Sequence, residues 1–146
     1  MNVQAGERGD REMIETEREP GTGSRPRGRT VLVADDEAKI RDLVRDVLEP
    51  CGFEVLEAGN GHGVLAELQR TRVDLLVLDL AMPEMEGIET LQKLRALRPD
   101  LKVLVISGAF GGHFLRCAQH LGAHAGLKKP FSCDSLILQV EALLAA

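Results

Sequence analysis

The chain has 146 residues, 44% of them apolar, and a formal net charge of −5. That length supports one domain with its own core. Only 3% of the residues are aromatic, all four of them Phe, and with the acidic balance this argues against nucleic-acid binding, which relies on basic patches and stacking platforms. No apolar run approaches the roughly 18 residues of a membrane span, and the polar, charged start does not resemble a secretory leader. The three cysteines, Cys51, Cys117 and Cys133, are odd in number and widely spaced. Free thiols in a reducing, cytoplasmic compartment are expected, with no direct nucleic-acid or membrane partner.

Residues 1–29 differ from the rest. Six acids (Glu7, Asp10, Glu12, Glu15, Glu17, Glu19) precede a basic end (Arg25, Arg27, Arg29), with almost no apolar residues. Such a segment buries too little to offset the entropy of ordering, so a disordered N-terminal tail is expected over 1–29. Met13 and Ile14 support at most a transient helix. One folded domain is expected over 30–146.

From Thr30 the pattern changes. Val31–Ala34 is an apolar run ending on Asp35 and Asp36 and reads as a first strand. Ile40, Leu43, Val44, Val47 and Leu48 recur at helical spacing until Pro50 and Gly52. Phe53–Leu56 reads as a second strand. The glycine-rich run Gly59–Gly63 reads as a turn before a helix marked by Val64, Leu65 and Leu68. Its spacing is not that of a nucleotide loop. Leu75–Leu78 is a near-continuous apolar strand that stops on Asp79. Ile88, Leu91, Leu94 and Leu97 mark a third helix, ending before Pro99. Lys102–Ile106 is a fourth strand, ending on Ser107. Phe110, Phe114, Leu115, Ala118 and Leu121 mark a fourth helix. Ala125–Lys128 is a short fifth strand, followed by Lys129 and Pro130. Leu136, Ile137, Val140, Leu143 and Leu144 mark the last helix. Strands and helices that alternate this way predict an α/β fold, a doubly wound parallel sheet with right-handed crossovers.

The strand ends carry the chemistry. Asp35, Asp36, Asp79, Ser107 and Lys129 all follow apolar strands, and in a parallel sheet those ends share one edge, where ligands bind. Three clustered carboxylates repel one another and call for compensation by a cation. Oxygen donors suit Mg²⁺, and Lys129 adds a second positive charge. Lys128 is the competing candidate, but Lys129 directly precedes the proline. A carboxylate in such a site can attack phosphorus to give an aspartyl phosphate. Mg²⁺, Lys129 and the Ser107 hydroxyl then face the three phosphoryl oxygens. Asp36, assisted by Asp35, is the expected metal holder. Cys117, His120 and His124 have metal-like spacing but lack a fourth ligand.

The segments V-L-V-A-D-D-E, L-L-V-L-D-L-A-M-P-E-M-E-G, V-L-V-I-S-G-A and K-K-P-F occur in an order and spacing that resembles the receiver domain of bacterial two-component response regulators, over residues 30–146. The resemblance implies a flavodoxin-like (βα)5 sheet of order 2-1-3-4-5 and a histidine kinase as phosphodonor. It implies that Asp79 is the phosphoacceptor, Asp35 and Asp36 the acidic pair, and the backbone carbonyl of Ala81 a further Mg²⁺ ligand. It also implies that Ser107 is the switch hydroxyl, Lys129 the phosphate contact, and the Lys129–Pro130 peptide cis. Phosphoryl transfer to and from Asp79 would be self-catalysed, with no turnover of an external substrate. Signalling would pass by protein contact through the fourth helix, fifth strand and fifth helix to a downstream protein whose identity the residues do not give.

The chain also departs from that pattern. The family places Tyr or Phe three residues before the site Lys, and here that position is Gly126. The usual coupling of hydroxyl to aromatic is therefore not available in its usual form. In the family the positions of Ala81 and Ala109 border the path of the attacking water, and two methyl groups offer nothing to orient it, so slow dephosphorylation is expected. The chain ends after the last helix, so a single-domain receiver is expected. A phosphorylation-independent pseudo-receiver and a phosphorelay shuttle are the alternatives. A phosphoaspartate hydrolase is disfavoured, because it would carry a second Asp where Ala81 stands.

Overall fold

The computed structural model describes residues 28–80, 86–108, 116 and 118–145. Its centre is a parallel sheet of five strands: β1 (Thr30–Ala34), β2 (Glu54–Ala58), β3 (Leu75–Asp79), β4 (Lys102–Ser107) and β5 (Ala125–Lys128). They lie in the order β2-β1-β3-β4-β5. The described helices are α1 (Ala38–Leu48), α2 (Gly61–Arg70), α3 (Glu86–Leu97) and α4 (Cys133–Ala145). Most of the fourth helix expected from sequence lies outside the described residues, although residues 116 and 118–120 are helical.

The continuous apolar runs of β1, β3 and β4 are explained by two-sided burial. Side chains alternate across a strand, and this sorts the core into two layers. Leu32, Leu76, Leu78, Val103 and Val105 pack on one face with Val64 of α2 and Leu91 and Leu94 of α3. Val31, Val33, Leu75, Val77, Leu104 and Ile106 pack on the other with Val44 and Leu48 of α1 and Leu136 and Val140 of α4. Each fully buried Leu or Val contributes about 1.5–3 kcal/mol relative to exposure, so the central strands anchor the fold and fix its register.

Local signals set the boundaries. α1 passes into a short 3-10 turn, Glu49–Cys51, which carries Pro50 and closes on Gly52 at φ +99, a left-handed conformation that Gly adopts without strain. Asn60 caps α2, its side chain accepting from the Gly63 amide at 2.8 Å. The glycine-rich run is thus a cap followed by the helix's first turn, and only Gly59 and Asn60 precede the helix. β2 runs to Ala58, two residues beyond the expected Leu56, because Val33 and Ala34 pair with Glu57 and Ala58. Pairing with β1 overrides the polar residue that interrupts the apolar pattern. At the start of the domain, Arg29 donates to the Leu144 carbonyl at 3.1 Å, tying the entry to β1 to the end of α4. The structure contains no described helix long and apolar enough to cross a membrane.

Candidate functional site

Strand register brings the polar strand ends together. Ala34 lies opposite Leu78, so Asp35, one residue on, is set beside Asp79. Asp79 lies opposite Ile106, which sets Ser107 one step beyond it. Ser107 pairs with Lys128, and the Lys129 amide donates to the Ser107 carbonyl at 2.8 Å. Three neighbouring strands and the edge strand therefore deliver two carboxylates, a hydroxyl and an ammonium to one edge.

These groups are buried. Asp35 is fully buried, and Asp79 and Ser107 are each 2% exposed. Buried charge is costly unless it is paired. Lys129 supplies the pairing. Its Nζ donates to Asp35 Oδ2 at 3.0 Å and to Asp79 Oδ2 at 3.4 Å, and it lies 3.7 Å from Glu37 Oε1. Burial works against the ammonium and is the largest single effect. The Asp35 hydrogen bond, the charges of Asp79 and Asp35 and the Asp79 hydrogen bond together outweigh it, so the Lys129 pKa is raised above 10.5. The Lys129–Pro130 peptide is cis, as the resemblance implies. Lys128, the competing candidate, is exposed at the end of β5.

Asp35, Asp36 and Asp79 form a group whose carboxylate oxygens lie within 4.8 Å of one another. An all-oxygen set of this size fits a hard divalent cation. Its members differ in freedom. Asp35 is held at both oxygens, Oδ1 accepting from the Glu37 amide at 2.9 Å and Oδ2 from Lys129. Asp36 is exposed. Two glycines allow close packing around the site. A Cβ on Gly87 would stand 2.5 Å from the Asp79 carbonyl oxygen, and one on Gly108 would stand 3.2 Å from Lys129 Cβ.

Other sequence-derived candidates fall elsewhere or outside view. Ala81, Ala109, Phe110, Phe114 and Cys117 lie outside the described residues. Gly126 pairs with Val105 in the middle of β5. His124 Nδ1 accepts from the Val103 amide at 3.1 Å, a backbone contact remote from the acidic edge. Among the described residues, the only candidate metal cluster is the Asp triad.

Glu37 and Arg41 were not legible as part of the site. Arg41 Nη1 donates to the backbone carbonyl of Asp35 at 2.6 Å, and its Nε donates to Glu57 Oε1 at 3.0 Å. Glu57 also accepts from Arg45 Nε at 2.8 Å, and Arg45 continues to Glu49 at 2.7 Å. The one available signal was an acid inside an apolar strand, with Arg at i and i+4 on the preceding helix.

Residues 31–141 match the model of the response regulator receiver domain. The chemotaxis protein CheY of Thermotoga maritima is 31% identical over 75% of this chain and 92% of its own length. Sporulation initiation phosphotransferase F of Bacillus subtilis is 29% identical over 73% of this chain and 86% of its own. The crystal structure of the receiver domain of NtrX from Brucella abortus superposes with a TM-score of 0.75 at 34% identity, covering 80% of this chain and 98% of that one. The chain spans about half the length of other curated regulators that it matches, 49% in one case and 50% in another. With the sheet order and the acidic strand ends already in place, the chain belongs to the response regulator receiver domain family.

Proposed function

We propose that this receiver domain takes a phosphoryl group onto Asp79 from the phosphohistidine of a histidine kinase, with Mg²⁺ as cofactor. The resulting change would be read by a partner protein on the surface formed by β5, α4 and the helical segment before β5. The observation that carries this reading is the sharing of one ammonium, Lys129, by buried carboxylates from two different strands. A purely structural ion pair needs only one.

One carboxylate oxygen of Asp79 forms the new O–P bond as the P–N bond of the donor breaks, and the imidazole leaves with that electron pair. Lys129 is already within reach of Asp79 Oδ2 and moves its hydrogen bond from carboxylate to phosphoryl oxygen. Ser107, on the adjacent strand end, donates its hydroxyl to another phosphoryl oxygen. Asp35, Asp36, Asp79 and the Ala81 carbonyl would hold Mg²⁺, which when bound neutralises carboxylate charge and polarises the phosphoryl oxygens. Charge and acceptor oxygens added at Asp79 pull on Ser107 and Lys129, and both sit at the ends of the strands beside the signalling surface.

Incubation with acetyl phosphate and Mg²⁺ followed by intact-mass spectrometry tests this. A single adduct of about one HPO₃ unit in the native chain, absent from Asp79→Asn, is the expected result. No adduct, under conditions that label another receiver, would leave a phosphorylation-independent binding module. A second reading, a phosphate shuttle, is favoured by the relative named a phosphotransferase. Passage of the group from Asp79 to a histidine phosphotransfer protein would support it.

A further inference from the structure

The three carboxylates of the acidic cluster are not equally anchored. Asp79 is the last residue of a central strand. Asp35 has both carboxylate oxygens engaged, and its own amide donates to the Ala58 carbonyl at 3.2 Å. Asp36 is exposed, and its side chain makes no hydrogen bond or ion pair among the described residues. Its place near the other two is set by the backbone that carries it. That backbone is the Asp35–Asp36 peptide, and its carbonyl oxygen is gripped by Arg41 Nη1 at 2.6 Å.

Arg41 is itself fixed. It stands in the first turns of α1 and is 21% exposed, and its Nε bonds Glu57 on β2. Glu57 is held in turn by Arg45, which bonds Glu49. The guanidinium fork spans two acceptors at a fixed angle, which a lysine cannot reproduce. Because Glu57 neutralises Arg41, the contribution of Arg41 to the nearby acidic cluster is geometric more than Coulombic.

We propose that Arg41 is a positioning residue for the cation site, clamping the Asp35–Asp36 peptide to α1 and β2 so that Asp36 stays within ligand distance of Asp35 and Asp79. It touches neither phosphorus nor the cation. The proposal rests on the reading of the cluster as a Mg²⁺ site and adds to it the residue that sets its affinity. Partners outside the ligand set commonly govern metal affinity in this way.

Isothermal titration with Mg²⁺ gives the readout, since the chain lacks Trp and Tyr as fluorescent reporters. Arg41→Met is expected to weaken Mg²⁺ binding by about tenfold, the low end for loss of an orienting partner. Arg41→Lys retains the charge and one bond and is expected to fall between the two. Adding Arg41→Met to Asp36→Asn is expected to bring little further loss, because Arg41 acts through Asp36. A merely structural arginine would lower the metal-free melting temperature and leave the affinity of the folded chain unchanged. Native affinity in Arg41→Met would overturn the proposal. Should that variant not fold, native affinity in Arg41→Lys would overturn it equally, and so would full additivity with Asp36→Asn. Absence of Mg²⁺ binding in the unsubstituted chain would overturn the metal site as well, whereas binding that is indifferent to Arg41 overturns this proposal alone.

Discussion

The two ends of the sheet treat charge in opposite ways. At the C-terminal end, Asp35, Asp79 and Ser107 are buried, and one ammonium serves both buried carboxylates. At the N-terminal end, a cleft of about 580 Å³ is lined by Arg70, Arg72, Asp74, Arg98 and Asp100 among others. Its charges face water or meet local partners: Arg70 pairs with Glu67, Arg72 is 90% exposed beside Asp74, and Arg98 reaches the Val73 carbonyl. What marks the acidic edge is more buried negative charge than its one ammonium offsets, an arrangement that costs stability and is typical of functional sites.

Four substitutions or titrations sharpen that contrast. The largest effect belongs to Lys129→Met, which leaves two buried carboxylates without their shared cation. A loss of about 3–5 kcal/mol is expected in metal-free urea unfolding. A loss below about 1 kcal/mol would mean that the carboxylates are compensated otherwise. Next comes Gly87→Ala, whose Cβ would meet the Asp79 carbonyl at 2.5 Å. About 1–3 kcal/mol is expected for such overpacking, along with slower phosphorylation as the strand end shifts.

Titration separates the two ends in opposite directions. The Lys129 pKa lies above 10.5 in the folded chain, so its contribution is complete below the unfolded value and is lost as pH rises through the folded one. His124 behaves inversely. Burial first, then the charges of Arg95 and Lys102, hold it below the usual 6.5. The unfolded chain therefore binds its proton first, and stability falls as pH drops below 6.5 towards the folded value. Protonation would also remove the Nδ1 acceptor for Val103. His124→Asn keeps an acceptor without the titration. Relative to the native chain, it is expected to flatten the fall in stability between pH 7 and 5, a small effect because His124 is exposed to solvent. An identical pH dependence in both would remove His124 from the account. The smallest effect is expected at the N-terminal cleft, where Arg72→Met should change stability by no more than about 0.5 kcal/mol.

The same contrast explains what could be read from the residues. Strands buried on both faces have no polar position until they stop, so Asp35, Asp79 and Ser107 announce the sheet edge, and alternation fixes the register that brings them together. Asp35 and Asp36 were expected to act as a metal-holding pair led by Asp36. Their unequal burial depends on loop backbone and could not be read. β2 is an edge strand whose two faces each carry a Glu beside buried apolar residues, and its end was missed because Glu57 breaks the apolar run. That acid is tolerated because Arg41 and Arg45 come to it from α1. Arg41 left only the weak signal of that acid beside the Arg pair, since one of its partners is a main-chain carbonyl and the other lies on the next strand. The His124 contact was hidden for the same reason: its donor is a backbone amide on another strand.

The claim that the acidic edge is held short of neutrality is tested most directly by metal-free thermal unfolding of Asp79→Asn beside the native chain. Removing one buried carboxylate leaves Lys129 with Asp35 and the exposed Glu37, and the variant should be more stable by roughly 1–2 kcal/mol. A variant that melts below the native chain would show that Asp79 is a net stabilising partner, and the reading of this edge as strained for chemistry would fall.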